Sequence, residues 1–364
     1  MIRIVENKQD IKAFHAVPKF IYATDSNYIP HLIEDIEEVF DPLKNPAFQR
    51  GKAVRWVIPQ KGRIAAFYLD AQGNRFGGWG FFESVDEKTA TELIMVAETW
   101  LEQQNCHRIQ APINFGSRDQ FWGLLLESDA NSAPSYQENY NPLVYRKYLE
   151  QAGYQVDFNQ ITYEMSPNDV SYERFHRVAS RTYSQSGYRY SVLDFGRLDQ
   201  FAADFVEVYN AAWSFHEDFE SLDVSSVRKK FHAMKWAVLP ELVVFAYFND
   251  RPIGFYINIL ELNQVFRFLG GRKTWWNQLR FLWMRNRIDK VRGLVFGIVP
   301  EFQNRGVEAG MIIKSFEGLK KIKKISRVEL SWIGDFNPKM ISMLRALGAV
   351  ESKKHATFFK YFFE

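Results

Sequence analysis

Residues 293–311 read GLVFGIVPEFQNRGVEAGM, and this stretch decides the fold that we predict for the chain. Residues 293–299 form an apolar run rich in β-branched and aromatic side chains, which is typical of a buried strand. Pro300 ends the strand because proline has no N–H to donate to a sheet. Apolar residues then recur at helical spacing from Val307, so the pattern predicts a strand, a turn and a helix. The first N–H groups of a helix lack intrahelical partners, and Gly306 lets a ligand approach them, so the turn is suited to bind a phosphate.

The turn resembles the pyrophosphate loop of the GNAT superfamily of acyl-CoA N-acyltransferases. That loop has the pattern Gln/Arg-x-x-Gly-x-Gly/Ala directly after a strand and at the start of a helix. Gln303 and Gly306 match the pattern. The sixth position departs from it, since it is Glu308, and Ala309 follows one residue later.

A second resemblance to the GNAT superfamily follows in the right order. Residues 327–333 are typical of the next strand, and Asn337 opens a predicted helix that ends near residues 347–349. Members of the superfamily carry an Asn near the start of that helix, and a final hairpin follows it. Residues 355–363 would form the last strand, so the resemblance covers residues 188–364.

The resemblance implies that acetyl-CoA or another acyl-CoA is the co-substrate, and no metal is expected. The oxyanion of the reaction would be held by backbone N–H groups near Ile298 and Val299. The residues that the resemblance assigns to the cofactor are Ile298, Val299, Gln303, Asn304, Arg305, Gly306, Val307, Glu308, Ala309 and Asn337.

Composition excludes several classes of protein. The chain has 364 residues, a hydrophobic content of 46% and a formal net charge of only +3, so it is globular and gives no general indication of a nucleic-acid partner. A single cysteine, Cys106, excludes an intrachain disulfide and suits a reducing compartment. No signal peptide and no run of about 18 apolar residues is present, so we expect a cytoplasmic protein without a membrane partner.

The order of predicted elements repeats in the two halves of the chain. Residues 62–68 echo residues 251–256, and Asn141 echoes Asn337 before a helix. We therefore predict an α/β chain with a mixed sheet, built from two tandem GNAT-like units, residues 1–166 and 167–364. In the first unit three acids, Glu83, Asp86 and Glu87, occupy the place of the phosphate-binding turn. Because carboxylates repel a pyrophosphate, the first unit is interpreted as a degenerate copy.

The second unit carries an insertion, residues 261–290, that the first lacks. Between Phe266 and Arg292 it holds eight basic residues and one acid, Asp289, interleaved with aromatic side chains. Three interpretations stay open: a nucleic-acid surface, a lid or docking patch for an anionic ligand, and an amphipathic helix that covers the sheet. The last is favoured, so no nucleic-acid partner is expected.

The candidate acceptor side is the segment 210–220, which places a histidine and three acids beside aromatic residues. His216 and Glu217 are the first candidates for the general base, because histidine titrates near neutral pH. Glu329, on the strand after the phosphate-binding helix, is the second candidate and shares a face with Ser331. Many superfamily enzymes carry a tyrosine acid seven residues after the Asn of the last helix, and Leu344 stands there.

These observations predict an acyl-CoA-dependent N-acyltransferase in which a small-molecule or peptide amine attacks the thioester directly. Two alternatives stay open. One is a catalytically silent acyl-CoA-binding or sensing protein; the missing tyrosine leaves this open, as it does protonation by another residue or departure of an unprotonated thiolate. The other is a tandem-GNAT transferase that uses aminoacyl-tRNA, and the phosphate-binding turn argues against it. The acceptor, the length of the acyl chain and the oligomeric state are not predicted.

Overall fold

The computed structural model describes residues 1–71, 73–129, 132–168, 172–214 and 221–362. The strands of the first half are β1 (Arg3–Ile4), β2 (Gly51–Ile58), β3 (Gly62–Ala71), β4 (Asn74–Ser84), β5 (Arg108–Ala111), β6 (Leu124–Ser128) and β7 (Gln155–Met165). Those of the second half are β8 (Tyr188–Val192), β9 (Val243–Phe248), β10 (Arg251–Leu260), β11 (Lys290–Ile298), β12 (Arg327–Gly334) and β13 (Val350–Tyr361).

The α-helices lie between these strands. They are α1 (Lys8–Ile21), α2 (Ile33–Val39), α3 (Glu87–Gln103), α4 (Tyr145–Gln151), α5 (Tyr172–Ser184), α6 (Leu198–Trp213), α7 (Val224–Met234), α8 (Asn263–Phe266), α9 (Trp275–Met284), α10 (Val307–Lys321) and α11 (Pro338–Ala346). None of these described helices is both long enough and apolar enough to cross a membrane.

Both halves build the same run of strands, which confirms the predicted repeat. Hairpins join β2 to β3 and β9 to β10, and the next connection leads to β4 and β11. Each of these strands then pairs in parallel with the strand that follows a long helix: β4 with β5 after α3, and β11 with β12 after α10. A parallel pair needs such a crossover, and here the amphipathic helix covers one face of the sheet.

The strands of both halves form one mixed sheet in the described chain, ordered β1-β2-β3-β4-β5-β13-β7-β12-β11-β10-β9-β8, with β6 beside β13. The last strand of each half crosses into the other half. β13 lies between β5 and β7, and β7 lies between β13 and β12. The predicted last strand is therefore present, but its neighbours belong to the first half and not to a terminal hairpin.

The hydrophobic core reflects this exchange. One cluster under the second half contains residues of α6, β9, β10 and α10, and it also contains Tyr163 and Met165 from β7. A cluster under the first half gathers residues of β4 and α3 with Ala356 and Phe358 from β13. The predicted boundary at residue 166 falls just after β7, and it stays a prediction.

Two segments differ from the sequence prediction in detail. Residues 115–138, where no strand was predicted, contain β6, which pairs with β13. The predicted insertion at residues 261–290 contains α8 and α9, whereas β3 and β4 in the first half are separated only by residues 72–73. The predicted amphipathic helix is present as α9, but its three tryptophans, Trp275, Trp276 and Trp283, are exposed.

Candidate functional site

The strands β11 and β12 separate and leave an open edge. They pair only from Lys290 with Arg327 to Gly293 with Leu330, although β11 continues to Ile298. On its other side β11 pairs with β10, where the Val299 N–H donates to the Ile253 carbonyl over 3.0 Å. Because N–H groups alternate in direction along a strand, the Ile298 N–H points into the gap. Within the described chain no strand pairs with residues 294–298 on that side. The gap therefore offers backbone groups to an extended polar ligand.

The predicted phosphate-binding turn borders this gap. A 3-10 turn, Pro300–Phe302, ends the strand, and Gly306 at φ 86° is the N-cap of α10. Asn304 also has a left-handed backbone, at φ 60°. The Gln303 side chain folds back and donates from Nε2 to the Ile298 carbonyl over 3.1 Å. No described side chain caps α10, so its first N–H groups remain available to an anion.

The side chains of the turn divide into a buried set and an exposed set. Val307 and Ala309 are buried in the core, so only their backbone can reach a ligand. Gln303, Asn304 and Arg305 are exposed, and the Arg305 guanidinium lies 5.4 Å from the Phe302 ring centroid. Arg305 is thus a cation next to the uncapped helix end, which is the arrangement that a diphosphate prefers.

Glu308 departs from the superfamily pattern, and the structure shows the consequence. Its Oε2 atom is buried and has no hydrogen-bond partner among the described residues. A carboxylate in the first turn of a helix interacts favourably with the helix dipole. It also brings a negative charge close to the place that we predict for the pyrophosphate. A ligand there would have to coexist with this charge.

A recess lies where the two halves meet at the separation of β11 and β12. Trp332, which lines it, is two residues beyond the last pairing of β12 with β11. The lining residues come from both halves and from the exchanged strands; they are Asp119, Gln120, Phe121, Trp122, Gln137, Glu138, Gln160, Arg292, Trp332 and His355. The first half therefore forms one wall of the recess, and an acceptor could bind there.

Three titratable side chains line the recess beside Arg292. Burial lowers the pKa of His355, whose Nε2 lies 2.9 Å from the Asn139 carbonyl oxygen. Burial also acts to raise the pKa of Glu138, but electrostatic interactions with Lys353, His355 and Arg292 together bring this pKa below its ordinary value. Asp119 is exposed and accepts a hydrogen bond from the Ser117 hydroxyl over 3.3 Å. Neutral His355 and the exposed Asp119 carboxylate are therefore the groups here that an acceptor amine would meet.

Glu329, a predicted candidate for the base, lies in a buried ionic cluster. It is fully buried and accepts hydrogen bonds from Lys290 Nζ over 2.6 Å and Lys353 Nζ over 3.0 Å, and from the Ser135 hydroxyl. Burial acts to raise its pKa, but the charges of Lys353, Lys290 and Arg292 hold the pKa well below its ordinary range. A carboxylate stabilised in this way is a poor base. The structure thus disfavours Glu329 as the base.

The face that Glu329 shares with Ser331 is the face toward the first half. Arg292 donates from Nε to the Ser331 hydroxyl and from Nη1 to the Tyr136 carbonyl. Ser135, on the same first-half segment, contacts both Glu329 and Lys353. The cluster therefore joins the halves beneath the recess.

The first-ranked candidates, His216 and Glu217, lie outside the described residues. The helix before them, α6, ends at Trp213, and this ring lies against β11. A Cβ atom on Gly297 would come within 2.7 Å of Trp213 Cζ3, so a glycine is needed for this contact. Asn337 caps α11, since its side-chain oxygen accepts from the Met340 N–H over 3.2 Å. Leu344 is buried and supplies no proton donor.

The equivalent gap of the first half is filled by its own side chains. β4 and β5 pair only at Gly77 with Ile109 and Gly78 with Gln110. Beyond this point the Tyr145 hydroxyl accepts from the Ser84 N–H over 2.7 Å and lies 2.9 Å from the Ser84 carbonyl. Asp86 caps α3 by accepting from the Thr89 N–H over 2.7 Å. The backbone groups at which a cofactor would bind therefore already have hydrogen-bond partners within the first half.

Glu83 lies at the centre of this filled gap. Tyr22 and Tyr145 donate to its Oε2 over 2.8 and 3.2 Å, and Arg63 Nη2 lies 3.5 Å from its Oε1. Burial raises the pKa of Glu83 to about 7. This acid was predicted only as a charge that repels a phosphate, and the structure shows it to be buried and hydrogen-bonded.

Solved structures share this architecture over the whole chain. A tandem GNAT protein from the clavulanic acid biosynthesis pathway superposes with a TM-score of 0.57 at 11% identity, and the match covers 99% of this chain and 98% of that one. The chain has a tandem GNAT fold. The predicted fold class is thereby confirmed.

Two further structures agree with the tandem GNAT fold. A GCN5-related N-acetyltransferase from Sphaerobacter thermophilus has a TM-score of 0.51 at 14% identity and covers 99% of this chain and 95% of that one. A GCN5-related glucosamine N-acetyltransferase region within a fungal multi-domain GH3 β-N-acetylglucosaminidase has a TM-score of 0.57 at 11% identity. The match covers 99% of this chain but only 38% of that one.

Two curated proteins resemble the sequence over nearly its full length. Protein YghO of Escherichia coli K12 is 23% identical over 378 aligned positions, covering 99% of this chain and 95% of that protein. The bacterial ceramide synthase of Caulobacter vibrioides is 22% identical over 373 aligned positions, covering 98% and 96%. No protein-family model matches the chain.

The turn at Gly306 has a local pattern in the sequence, whereas the recess has none. Trp332 and His355 lie on strands, as predicted. Nothing local in the sequence shows that β12 and β13 both approach the first-half residues 119–122 and 137–138. One signal was present. Lys290, Arg292 and Glu329 are charged residues within strands of a buried sheet, and such residues need partners.

Proposed function

We propose that the protein is an acyl-CoA-dependent N-acyltransferase whose second half binds the co-substrate. The observation that carries this proposal is the open edge of β11 next to the uncapped start of α10. The pyrophosphate would lie at the N–H groups after Gly306, with Arg305 as a counter-charge. The pantetheine chain would lie along the gap, where the Ile298 N–H can stabilise the oxyanion.

The acceptor would enter the recess between the halves. An amine must lose a proton at or before its attack on the thioester, and Asp119 and His355 are the described groups best placed to accept it. His216 and Glu217 remain candidates as well. The nitrogen would attack the carbonyl carbon, the C–S bond would break, and coenzyme A would leave as a thiolate that takes up a proton from solvent or a nearby group.

The class of acceptor is suggested by the full-length similarity to a bacterial ceramide synthase. A ceramide is the amide of a fatty acid with a long-chain amino alcohol. We propose that the acceptor of this protein is also a long-chain amine. The lining of the recess is mostly polar, and its aromatic residues Phe121, Trp122 and Trp332 are the surfaces against which an apolar chain would pack.

A second candidate is an acyl-CoA-binding protein without catalytic turnover. Two observations favour it: Leu344 replaces the tyrosine acid, and the unpaired carboxylate oxygen of Glu308 lies in the first turn of α10. Such a protein would bind coenzyme A and release no thiol with any amine.

Release of free thiol separates the two candidates. Purified protein is incubated with acetyl-CoA or a long-chain acyl-CoA and with sphinganine, ethanolamine or an amino acid. We expect thiol release that depends on both substrates, and the largest rate with sphinganine. Arg305→Glu should lower kcat/KM about tenfold or more through KM, because it reverses the charge beside the phosphates.

Lys88→Glu is the matched control, because Lys88 is an exposed cation in the first turn of the equivalent helix α3. It should leave the kinetics unchanged. Coenzyme A binding without thiol release would support the silent binder. If the two charge reversals had equal effects, the turn at Gly306 would not be the pyrophosphate site.

A further inference from the structure

The helix α9 exposes an apolar stripe to solvent. Its side chains Trp275, Trp276, Leu279, Leu282 and Trp283 are each between 51% and 68% exposed. At about 100° per residue these positions fall on one continuous sector of the helix, with Leu279 at its centre. The stripe is therefore a property of the helix face and not of scattered surface residues.

The opposite face of α9 anchors the helix to the protein. Phe281 and Met284 are buried, and the Phe281 ring lies 4.6 Å from Trp236 and 5.7 Å from Phe266, between ring centroids. The packing of α9 against the core therefore does not need the side chains of the exposed stripe. Phe268, just before the helix, is also 48% exposed and adds to the apolar surface. A contiguous apolar surface rich in tryptophan indicates an interaction site.

The segment that carries the stripe is rich in basic residues and contains no acids. Residues 262–288 contain six Arg and Lys residues and no Asp or Glu; the basic residues are Arg267, Arg272, Lys273, Arg280, Arg285 and Arg287. The Arg287 guanidinium lies 4.5 Å from the centroid of the Trp283 ring. Lys324 lies close enough to Arg285 to extend the basic region. Burial and the charge of Arg285 lower the pKa of Lys324. A surface of this kind is complementary to an anionic partner.

The insertion is held in a fixed position by the first half. The Ile33 N–H donates to the Gly271 carbonyl over 2.9 Å, and Lys273 pairs with the buried Asp35. Asp35 also accepts from the Tyr136 hydroxyl, and the Tyr136 carbonyl accepts from Arg292, which lines the recess. Hydrogen bonds therefore connect the base of the insertion to the recess.

The composition of the stripe distinguishes between two anionic partners. Nucleic acids bind aromatic platforms through base stacking, for which the two leucines of the stripe are useless. Trp275 and Trp276 also stack on each other, with ring centroids 3.6 Å apart. A bilayer surface accepts leucine and tryptophan alike and attracts arginine to its headgroups. The observations favour the bilayer.

We propose that α9 is a docking surface for a membrane with anionic headgroups. The apolar stripe would insert at the boundary between headgroups and acyl chains, and the basic residues would contact the lipid phosphates. This reverses the expectation from sequence that no membrane partner is involved. The inference goes beyond the proposed function and does not depend on it, because docking requires neither acyl-CoA nor an amine.

Co-sedimentation with vesicles tests the proposal on the full chain. Vesicles of phosphatidylglycerol and phosphatidylethanolamine are compared with vesicles of phosphatidylcholine alone. We expect the protein to bind the anionic vesicles at least about tenfold more tightly. Trp275→Ser/Trp276→Ser/Trp283→Ser should lose about tenfold or more of this binding. Arg272→Ala/Arg287→Ala should lose a similar factor, and the loss should shrink at high salt.

Matched variants control for nonspecific effects. Leu43→Ser/Met95→Ser/Leu143→Ser removes three exposed apolar side chains elsewhere, and Lys12→Ala/Lys88→Ala removes two exposed cations. Both should bind like the unaltered protein. Thermal unfolding checks that the variants are folded. Equal binding to both kinds of vesicle, or unchanged binding by the tryptophan variant, would overturn the proposal. Binding of an RNA oligonucleotide that the tryptophan variant loses, without vesicle binding, would replace it with a nucleic-acid surface.

Discussion

At the scale of single residues, buried acids have opposite protonation behaviour because their partners differ. Glu329 faces Lys290 and Lys353, so its carboxylate form is stabilised and its pKa is depressed. Glu83 faces two tyrosine hydroxyls with Arg63 at 3.5 Å, and burial raises its pKa to about 7. Of these two acids, only Glu83 titrates near neutral pH.

The titration of Glu83 should make stability depend on pH between 6 and 8. Its folded pKa is higher than its unfolded value, so its contribution is fully present at low pH and is lost as pH rises through about 7. Between pH 6 and 8 this amounts to about 1 kcal/mol of the free energy of unfolding. Glu83→Gln should flatten the dependence by that amount, as measured by urea unfolding at pH 6, 7 and 8.

Glu87→Gln is a suitable control for this measurement. Glu87 is exposed, and a hydrogen bond from Lys147 lowers its pKa, so it titrates below the window. This variant should keep the pH dependence of the unaltered protein. If Glu83→Gln kept it too, the assigned protonation of Glu83 would be refuted.

At the scale of elements, α3 and α10 follow the same kind of strand but begin differently. Asp86 caps α3 with its carboxylate, whereas Gly306 begins α10 with a left-handed backbone and no side-chain cap. The first N–H groups are thus capped by a side chain in α3 and left uncapped in α10, where Glu308 is the acid of the first turn. This difference favours a single cofactor site, in the second half.

Isothermal titration with coenzyme A should give one site per chain. The gap of the first half is occupied by Tyr145, and its helix start carries Asp86 and Glu87. Arg305→Glu should weaken the measured affinity about tenfold or more, whereas Lys88→Glu should leave it unchanged. A stoichiometry near two would contradict the interpretation of the first half as a degenerate copy.

Much of the fold could be predicted from local patterns. The start and the buried face of α3 follow from the sequence, because Asp86 is a good N-cap and apolar residues recur at helical spacing after it. The turn at Gly306 was recognisable because strand, proline and glycine follow one another within a few residues. The recess and the exchange of β7 and β13 depend on contacts between residues about 200 positions apart, such as Tyr163 with Glu351. Such pairings leave no local pattern, because the sequence of one strand does not specify which distant strand pairs with it.

At the scale of the whole molecule, the exchanged strands make the halves dependent on each other. Phe358 on β13 is fully buried in the core cluster of the first half, beside residues of β4 and α3. Tyr163 on β7 is fully buried in the cluster of the second half. Each half thus completes the core of the other, and the recess lies where the exchanged strands meet. Movement of one half alone would disturb both.

The exchange predicts that the chain unfolds as one cooperative unit. Phe358→Ala removes a buried aromatic ring and should cost about 3–5 kcal/mol. Although Phe358 lies in the last strand, the loss should appear in both halves at once. Tryptophan fluorescence and far-ultraviolet circular dichroism should report coincident transitions in urea, shifted together in the variant. Phe336→Ala, at an exposed phenylalanine of the same half, should leave the midpoint nearly unchanged.

A fragment of residues 1–166 tests the same dependence from the other direction. It lacks β13, so the edges of β5 and β7 that pair with β13 in the full chain would be exposed, and Phe358 would be missing from its core. We expect no cooperative unfolding transition for this fragment alone, and recovery of folded structure when residues 167–364 are coexpressed with it. An isolated fragment that unfolds cooperatively with a midpoint like that of the full chain would show that the halves are separable domains. In that case the predicted boundary at residue 166 would describe two independent units, and the exchanged strands would contribute little to stability.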